Sequence, residues 1–360
     1  MATWLDPTYR TGVVGKYLNQ YKIPYQPPGW DEWMVPAGMY NYLTPRWWVN
    51  QGMGGSFREV SGYQTDVIGP LASDFVRRNA PRDEPFFLYT NIVAPHAGVP
   101  ADPDDPADTP SPYVKPVYRD RFQCATNTDP SFNEADVSDK PFDTPPLTAT
   151  QVAGLTEALQ QRRESLLSAQ DAINKVMNAL AASGELDNTF VMVTSDNGYV
   201  LGEHRGIAGK IVPFEVSNHI PFAVRGPGVP AGTVVPTLTA QVDLAATVAD
   251  IADVTPGLVQ DGVSLLPLLT GGAATSRAGV LLEATDVTAT SDPLPWLYRG
   301  VVKGRWKYVE HTVWEPELYD LTADPHELVN VAGRAEHAVK LAELAALTKR
   351  LKSCAGTGCR

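Results

Sequence analysis

Short continuous apolar runs alternate along this chain with longer stretches of helical period, and the two patterns predict different elements. Residues 9–19 read as a strand that stops at Gly15-Lys16. Residues 21–60 are aromatic and rich in Gly and Pro, with Trp30, Trp33, Trp47 and Trp48, and predict irregular structure with short strands. A helix near 65–79 leads into an apolar run over 85–93, the pattern of a strand buried on both faces, which stops at Ala94-Pro95-His96. Residues 97–147 are rich in Pro and Asp and carry no period, as in functional lids or spacers. Thr148 is placed to cap a long helix in which Leu155, Leu159, Leu166, Ile173, Met177 and Leu180 recur at helical spacing, ending at Ser183-Gly184.

Strands over 190–193 and 220–224 and a helix over 243–253 continue the alternation of strand and helix. That alternation predicts an α/β fold, a mainly parallel sheet sandwiched by helices. After about residue 272 the pattern changes to short strands at 280–282, 299–302 and 306–309, with Lys303-Gly304-Arg305 as a hairpin turn and an amphipathic helix over 335–351. The expected organisation is a large α/β domain over 1–272 and a smaller α+β C-terminal domain over 273–360, without internal repeats.

Length and composition narrow the function. The 360 residues are 43% hydrophobic and 19% charged, an ordinary globular balance. A net charge of -12 excludes a nucleic-acid backbone as partner, since that role needs clustered Lys and Arg. A local pocket of Lys and His can still hold a small sulfated or phosphorylated molecule against the global sign. No apolar run has the length of a membrane span, and the N-terminus shows no basic region followed by an apolar stretch. Cys354 and Cys359 flank Ala355-Gly356-Thr357-Gly358, a loop suited to a tight disulfide, with two unpaired thiols as the alternative; Cys124 is left over. A disulfide would place the chain in an oxidising compartment and predicts an export signal upstream of these residues.

The polar residues at predicted strand ends carry the candidate chemistry. Asp196-Asn197-Gly198 follows one strand, with His204 and Lys210 close downstream; Lys16 and His96 follow two others. Parallel sheets place their sites at that edge. A carboxylate and an amide oxygen are hard donors, suited to calcium or magnesium. Each feature has a plainer reading: Asn-Gly as a hairpin turn, His96 as a strand-end residue, Lys16 as a solvated Lys, the Trp cluster as core or as a sugar-binding wall. Asp102-Pro103-Asp104-Asp105 lacks the turn Gly and terminal Glu of an EF-hand loop. Gly226-Pro227-Gly228 has no following Lys-Ser/Thr, and no Gly-x-Ser-x-Gly elbow or zinc-spaced His pair occurs.

Taken in order, these segments resemble the sulfatase family of the alkaline phosphatase superfamily. The residues that carry the resemblance are Thr194-Ser195-Asp196-Asn197-Gly198-Tyr199, Leu201-Gly202-Glu203-His204-Arg205, Gly209-Lys210, Pro221 to Gly228 and Val242-Asp243-Leu244. Arg305-Trp306-Lys307-Tyr308, Glu317 to Leu321, Asp324-Pro325 and Glu327 are similar to its closing sheet. Gly15-Lys16-Tyr17-Leu18-Asn19, Pro27-Pro28-Gly29-Trp30 and Ala94-Pro95-His96 resemble its N-acetylglucosamine-6-sulfatase-like branch. The resemblance implies hydrolysis of sulfate monoesters of sulfated sugars with bound calcium and a formylglycine nucleophile. It implies Asp196 and Asn197 as metal ligands, Lys16 and Lys210 as sulfate-holding residues, and His96 with Lys210 as proton donors to the leaving oxygen. The implied setting is extracellular, periplasmic or lysosome-like.

Two departures accompany it. Leu18 stands where many sulfatases carry a His, as in the glucosamine-type branch. The Cys/Ser-x-Pro-x-Arg motif that becomes formylglycine occurs nowhere in the 360 residues, and the paired Asp ligands of the family's opening strand are absent too. The expectation is therefore an N-terminally truncated sulfatase whose nucleophile lies upstream, inactive as given. The alternatives are a phosphodiesterase or phosphonate hydrolase of the same superfamily, and a non-catalytic binder of sulfated glycans.

Overall fold

A computed structural model describes residues 1–44, 46–52, 54–60, 62–142, 144–273, 277–286, 288–291 and 294–360. The chain divides into two compact units. The first comprises Met1–Thr126, Thr150–Phe190 and Ala252–Gly257; the second comprises Asn127–Ala149, Val191–Ile251 and Leu258–Arg360.

In the first unit, β1 (Arg10–Gly15), β2 (Glu32–Pro36), β3 (Arg46–Gln51), β4 (Ser56–Glu59) and β5 (Phe86–Asn91) form one sheet in the order β4-β3-β2-β1-β5. β1 runs parallel to both β2 and β5, whereas β3 pairs antiparallel with β2 and β4. The sheet is thus mixed, its parallel part being the part that carries Lys16 and His96. Val14, Met34, Trp47 and Val49 from the sheet pack with Val67, Ile68 and Ala72 of helix Gln64–Asn79, a continuous apolar core.

Two expectations change here. β5 is an outer strand of its sheet, with no fully buried residue and Tyr89 45% exposed. Its apolar run reflects six-residue pairing with β1 and not burial on both faces. The long helix Ala149–Ser183 forms as the period predicts, but its buried face follows the Leu stripe only at its ends, Leu155 and Leu180. Leu166 is 45% exposed, while Leu155, Ala158, Arg162, Ser165, Ala169, Ala172 and Ala179 are buried. Small side chains let a helix approach its neighbours closely, and such a face scores low on hydrophobicity.

In the second unit, β6 (Val191–Thr194) pairs antiparallel with β7 (Phe222–Arg225) as a separate two-stranded sheet. The sequence pattern placed these two in a mainly parallel sheet. The connection over 195–221 is long enough for a crossover but carries only the four-residue helical turn Glu215–Asn218, not the long helix that usually joins parallel neighbours. β8 (Val280–Thr285), β9 (Trp296–Lys303), β10 (Trp306–His311) and β11 (Glu317–Asp320) form the small antiparallel sheet, ordered β11-β10-β9-β8. Lys303 pairs with Trp306, which closes the hairpin at Gly304-Arg305. Helix Ala338–Leu351 covers this sheet through Leu344, Leu347 and Leu351 against Val301, Tyr308 and Leu318. Each such apolar side chain contributes about 1.5–3 kcal/mol of burial. A disulfide joins Cys354 to Cys359, with the Cα atoms 5.2 Å apart. Among the described residues no helix is long and apolar enough to cross a membrane.

Candidate active site

Lys16 stands at the carboxyl end of β1, where Gly15 turns the chain with φ +107°. A Cβ on Gly15 would lie 1.9 Å from the Asn91 carbonyl oxygen, so only glycine lets β1 and β5 stay paired to their tips. The Lys16 N–H then donates to that same carbonyl at 3.1 Å. Beyond β5 a turn closes with the His96 N–H donating to Val93 O at 2.8 Å. His96 Nδ1 lies 2.6 Å from Ala97 O, and because a carbonyl only accepts, Nδ1 carries a proton.

One aromatic ring links these two residues. Lys16 Nζ sits 4.9 Å from the centroid of Tyr40, and the His96 ring centroid is 4.5 Å from the same ring at an interplanar angle of 30°. The first unit therefore brings Lys16 and His96 together around Tyr40. Sequence reasoning did not single out Tyr40, although it falls within the aromatic stretch; the core reading of that stretch applies to Trp33 and Trp47, both 0% exposed.

In the second unit the Asp196-Asn197 turn follows β6 and is held from several sides. Gln241 Nε2 donates to Ser195 O at 2.8 Å and Asp196 O at 3.0 Å. Gly198 N–H donates to Ser217 O at 2.8 Å, and a Cβ on Gly198 would lie 2.0 Å from Val216 O. No hairpin closes at Asn197-Gly198: β6 finds its partner in β7, and Gly198 and Tyr199 bond to residues 216–217. Ser217 Oγ donates to Lys210 O at 2.5 Å, so one helical turn anchors both the Asp196-Asn197 turn and the Lys210 loop. Asp196 is exposed; Asn197 and Lys210 are half-buried.

His204, grouped with Lys210 in the sequence as a second cation for the site, has a different role. It is 3% exposed, its Nδ1 is 2.7 Å from Glu134 Oε2, and its ring stacks on Phe214 at 3.8 Å. Arg205 donates to three carbonyls, Glu134 at 2.7 Å, Thr144 at 2.8 Å and Ala135 at 2.7 Å. Both residues are left-handed, φ +49° and +62°, a conformation that costs about 1–2 kcal/mol per residue and persists because these bonds hold it. Asp243 is likewise structural: fully buried, it accepts from Ala240 and Val263 N–H groups and pairs with Arg277.

Sequence reading missed the buried charges beneath this turn. Lys307 on β10 has a fully buried side chain, its Nζ 2.7 Å from Glu327 Oε1 and 2.9 Å from Glu215 Oε1. Glu327 Oε2 accepts the Glu215 N–H at 2.6 Å, which ties the 215–218 turn to the small sheet. Charge alternation gave no signal for this, because the partners are far apart in sequence.

The donor set can be tested against a resident calcium ion. Asp196 offers one carboxylate and Asn197 an amide, while calcium takes six to eight oxygens. Among the described residues no group of three or more His, Cys, Asp or Glu side chains is arranged to hold a metal. These residues do not by themselves make a calcium site. Calorimetric titration of the 360-residue chain is expected to show no calcium binding tighter than about 1 mM. Submillimolar affinity would mean that donors beyond Asp196 and Asn197 are in place.

A family model described as Sulfatase matches residues 1–254. The chain belongs to the sulfatase family. Residues 202–354 of this sulfatase chain also match a model described as N-sulphoglucosamine sulphohydrolase, C-terminal. It is 30% identical over 409 aligned residues to a Bos taurus protein named N-acetylglucosamine-6-sulfatase, covering 98% of this chain and 68% of that protein. It is 35% identical over 277 residues to a Drosophila melanogaster protein named extracellular sulfatase SULF-1 homolog, covering 74% of this chain and 24% of that one. A solved structure described as a complex with its substrate D-glucosamine-2-N,6-O-disulfate superposes with a TM-score of 0.72 at 22% identity, covering 98% of this chain and 81% of that chain. At that identity the likeness is one of fold.

Proposed function

We propose that this chain serves the hydrolysis of a sulfate monoester on a sulfated glucosamine sugar, of the N-acetylglucosamine-6-sulfate type. The observation that carries the substrate class is the 30% identity across 98% of the chain to a protein named for that activity. The side-chain chemistry supports it. Lys16 and Lys210 supply ammonium groups for the sulfate oxygens, offsetting charge that builds as the S–O bond breaks. A sugar hydroxyl is a poor leaving group as an alkoxide, so it needs a proton as it departs. His96 and Lys210 are assigned that donation; with the Nδ1 proton of His96 held by Ala97 O, a proton can leave only from Nε2, so His96 donates as the imidazolium.

Asp196 and Asn197 are the two oxygen donors this chain would offer a calcium ion, whose chemistry when bound is to polarise the sulfate. No Cys/Ser-x-Pro-x-Arg motif that could become a formylglycine nucleophile occurs in the 360 residues. The same reading proposes an extracellular, periplasmic or lysosome-like setting, which the Cys354–Cys359 disulfide supports.

The test uses the protein expressed from its full reading frame. N-acetylglucosamine-6-sulfate is expected to be turned over in preference to the 6-phosphate, and Lys210→Ala to lower kcat/KM about 10²–10³-fold. Preferred turnover of the phosphate ester would replace this reading with a phosphoryl hydrolase. Saturable sugar-sulfate binding without any turnover would replace it with a glycan-binding protein.

A further inference from the structure

The ring of Tyr40 has an unusual set of neighbours for a loop residue. Its carbonyl accepts the Val99 N–H at 2.8 Å, and the next residue but one, Tyr42, donates its N–H to Val99 O at 2.8 Å. Tyr42, fully buried, also donates its hydroxyl to His96 O at 2.7 Å. The 40–42 segment is therefore fastened to the 96–99 segment at three points. Tyr40 Oη donates to Asn19 Oδ1 at 2.6 Å, which fastens the same ring to the segment that follows Lys16. The ties from 40–42 to 96–99 alone leave the ring little freedom to move away from Lys16 and His96.

An aromatic face attracts an ammonium or an imidazolium through the ring quadrupole. A neutral aromatic ring orients both groups without cancelling either.

We propose that Tyr40 is a positioning residue, holding His96 and Lys16 on one ring so that His96 delivers its proton to the departing sugar oxygen. This rests on the sulfatase reading above. Tyr40 does not itself touch the reacting atoms; it acts through His96. The consequence depends on the leaving group. An alkyl sulfate such as a sugar 6-sulfate needs the proton, whereas an aryl sulfate such as p-nitrophenyl sulfate departs as a stable anion and needs it far less.

Two measurements test this. In the first, the imidazole proton spectrum of the 360-residue chain, which has six His, is recorded with His96→Gln identifying the His96 signal. Tyr40→Leu is expected to shift the His96 Cε1 proton downfield, out of the ring current, and Tyr40→Phe to leave it in place. In the second, the full-reading-frame protein is assayed on both esters. Tyr40→Leu is expected to lower kcat on N-acetylglucosamine-6-sulfate about 10²-fold and on p-nitrophenyl sulfate less than about tenfold, with Tyr40→Phe near wild type on both. Should Tyr40→Leu fail to fold, Tyr40→Phe decides: a large loss there assigns the effect to the hydroxyl and overturns the proposal.

An unmoved His96 signal, or equal losses on the two esters, removes the role of Tyr40 and leaves the sulfatase reading standing. A wild-type protein that turns over neither ester removes the sulfatase reading, and the leaving-group role goes with it.

Discussion

Replacing Lys307 with alanine is expected to lower the free energy of unfolding by about 3–5 kcal/mol, measured by urea denaturation. The ammonium is fully buried between Glu327 and Glu215, and its loss leaves a carboxylate that is 2% exposed without a counter-charge. Burial drives the Glu327 carboxyl above its ordinary value, and the Lys307 ammonium pulls it back down. In the variant that pull is gone, and the native state keeps the proton to higher pH. A carboxyl raised on folding contributes stability that is whole below its unfolded value of 4.5 and is lost as pH rises through the folded value. The destabilisation is therefore expected to be larger near about pH 8 than near about pH 5. Equal losses at the two pH values would show that Glu327 is not the group left uncompensated. Glu327→Gln, which removes the charge and keeps an acceptor, should cost less than Lys307→Ala. Because Glu327 also accepts the Glu215 N–H, the damage extends to the turn that holds Lys210.

Gly15→Ala is the second large effect, expected to cost about 2–4 kcal/mol and to disturb Lys16. Two penalties coincide. The backbone at φ +107° disfavours any side chain, and the added methyl would meet the Asn91 carbonyl at 1.9 Å. Neither the strand nor the carbonyl can yield cheaply, since β1 and β5 are paired over six residues and Lys16 N–H donates to that oxygen. Relief requires opening the β1–β5 tips. Amide hydrogen exchange should show it as lost protection at Lys16, with protection in the middle of β1 retained. Unchanged protection at Lys16 would mean that the methyl is accommodated elsewhere.

Much of the candidate site was legible because its signals are local. Gly15-Lys16 ends an apolar run, Ala94-Pro95-His96 ends another, and Asp196-Asn197-Gly198 follows a third; each reads as a strand giving way to polar residues. The structure places strands ending at Gly15, Asn91 and Thr194, within a few residues of each. The segments 194–210 also match in order the motifs of a known family, and the family match over 1–254 agrees. Less legible was which of the two cations is locked inside the fold. His204 and Lys210 look alike in sequence, yet His204 is buried on Glu134, a partner 70 residues away.

By itself the sequence determined the longer helices, several of the strands and the α/β class, because period and turn chemistry act within a few residues of one another; the strands within 21–60 were not placed individually. It determined the family too, through the motif order from Thr194 to Gly228. Only the tertiary structure decided the antiparallel pairing of β6 with β7, the small-residue face of the long helix, the burial of Lys307 and the place of Tyr40 between Lys16 and His96. Those outcomes turn on contacts between distant segments. A buried charge or an aromatic bracket is stabilised by partners that no local window contains, so its free energy exists only once the chain has folded around it.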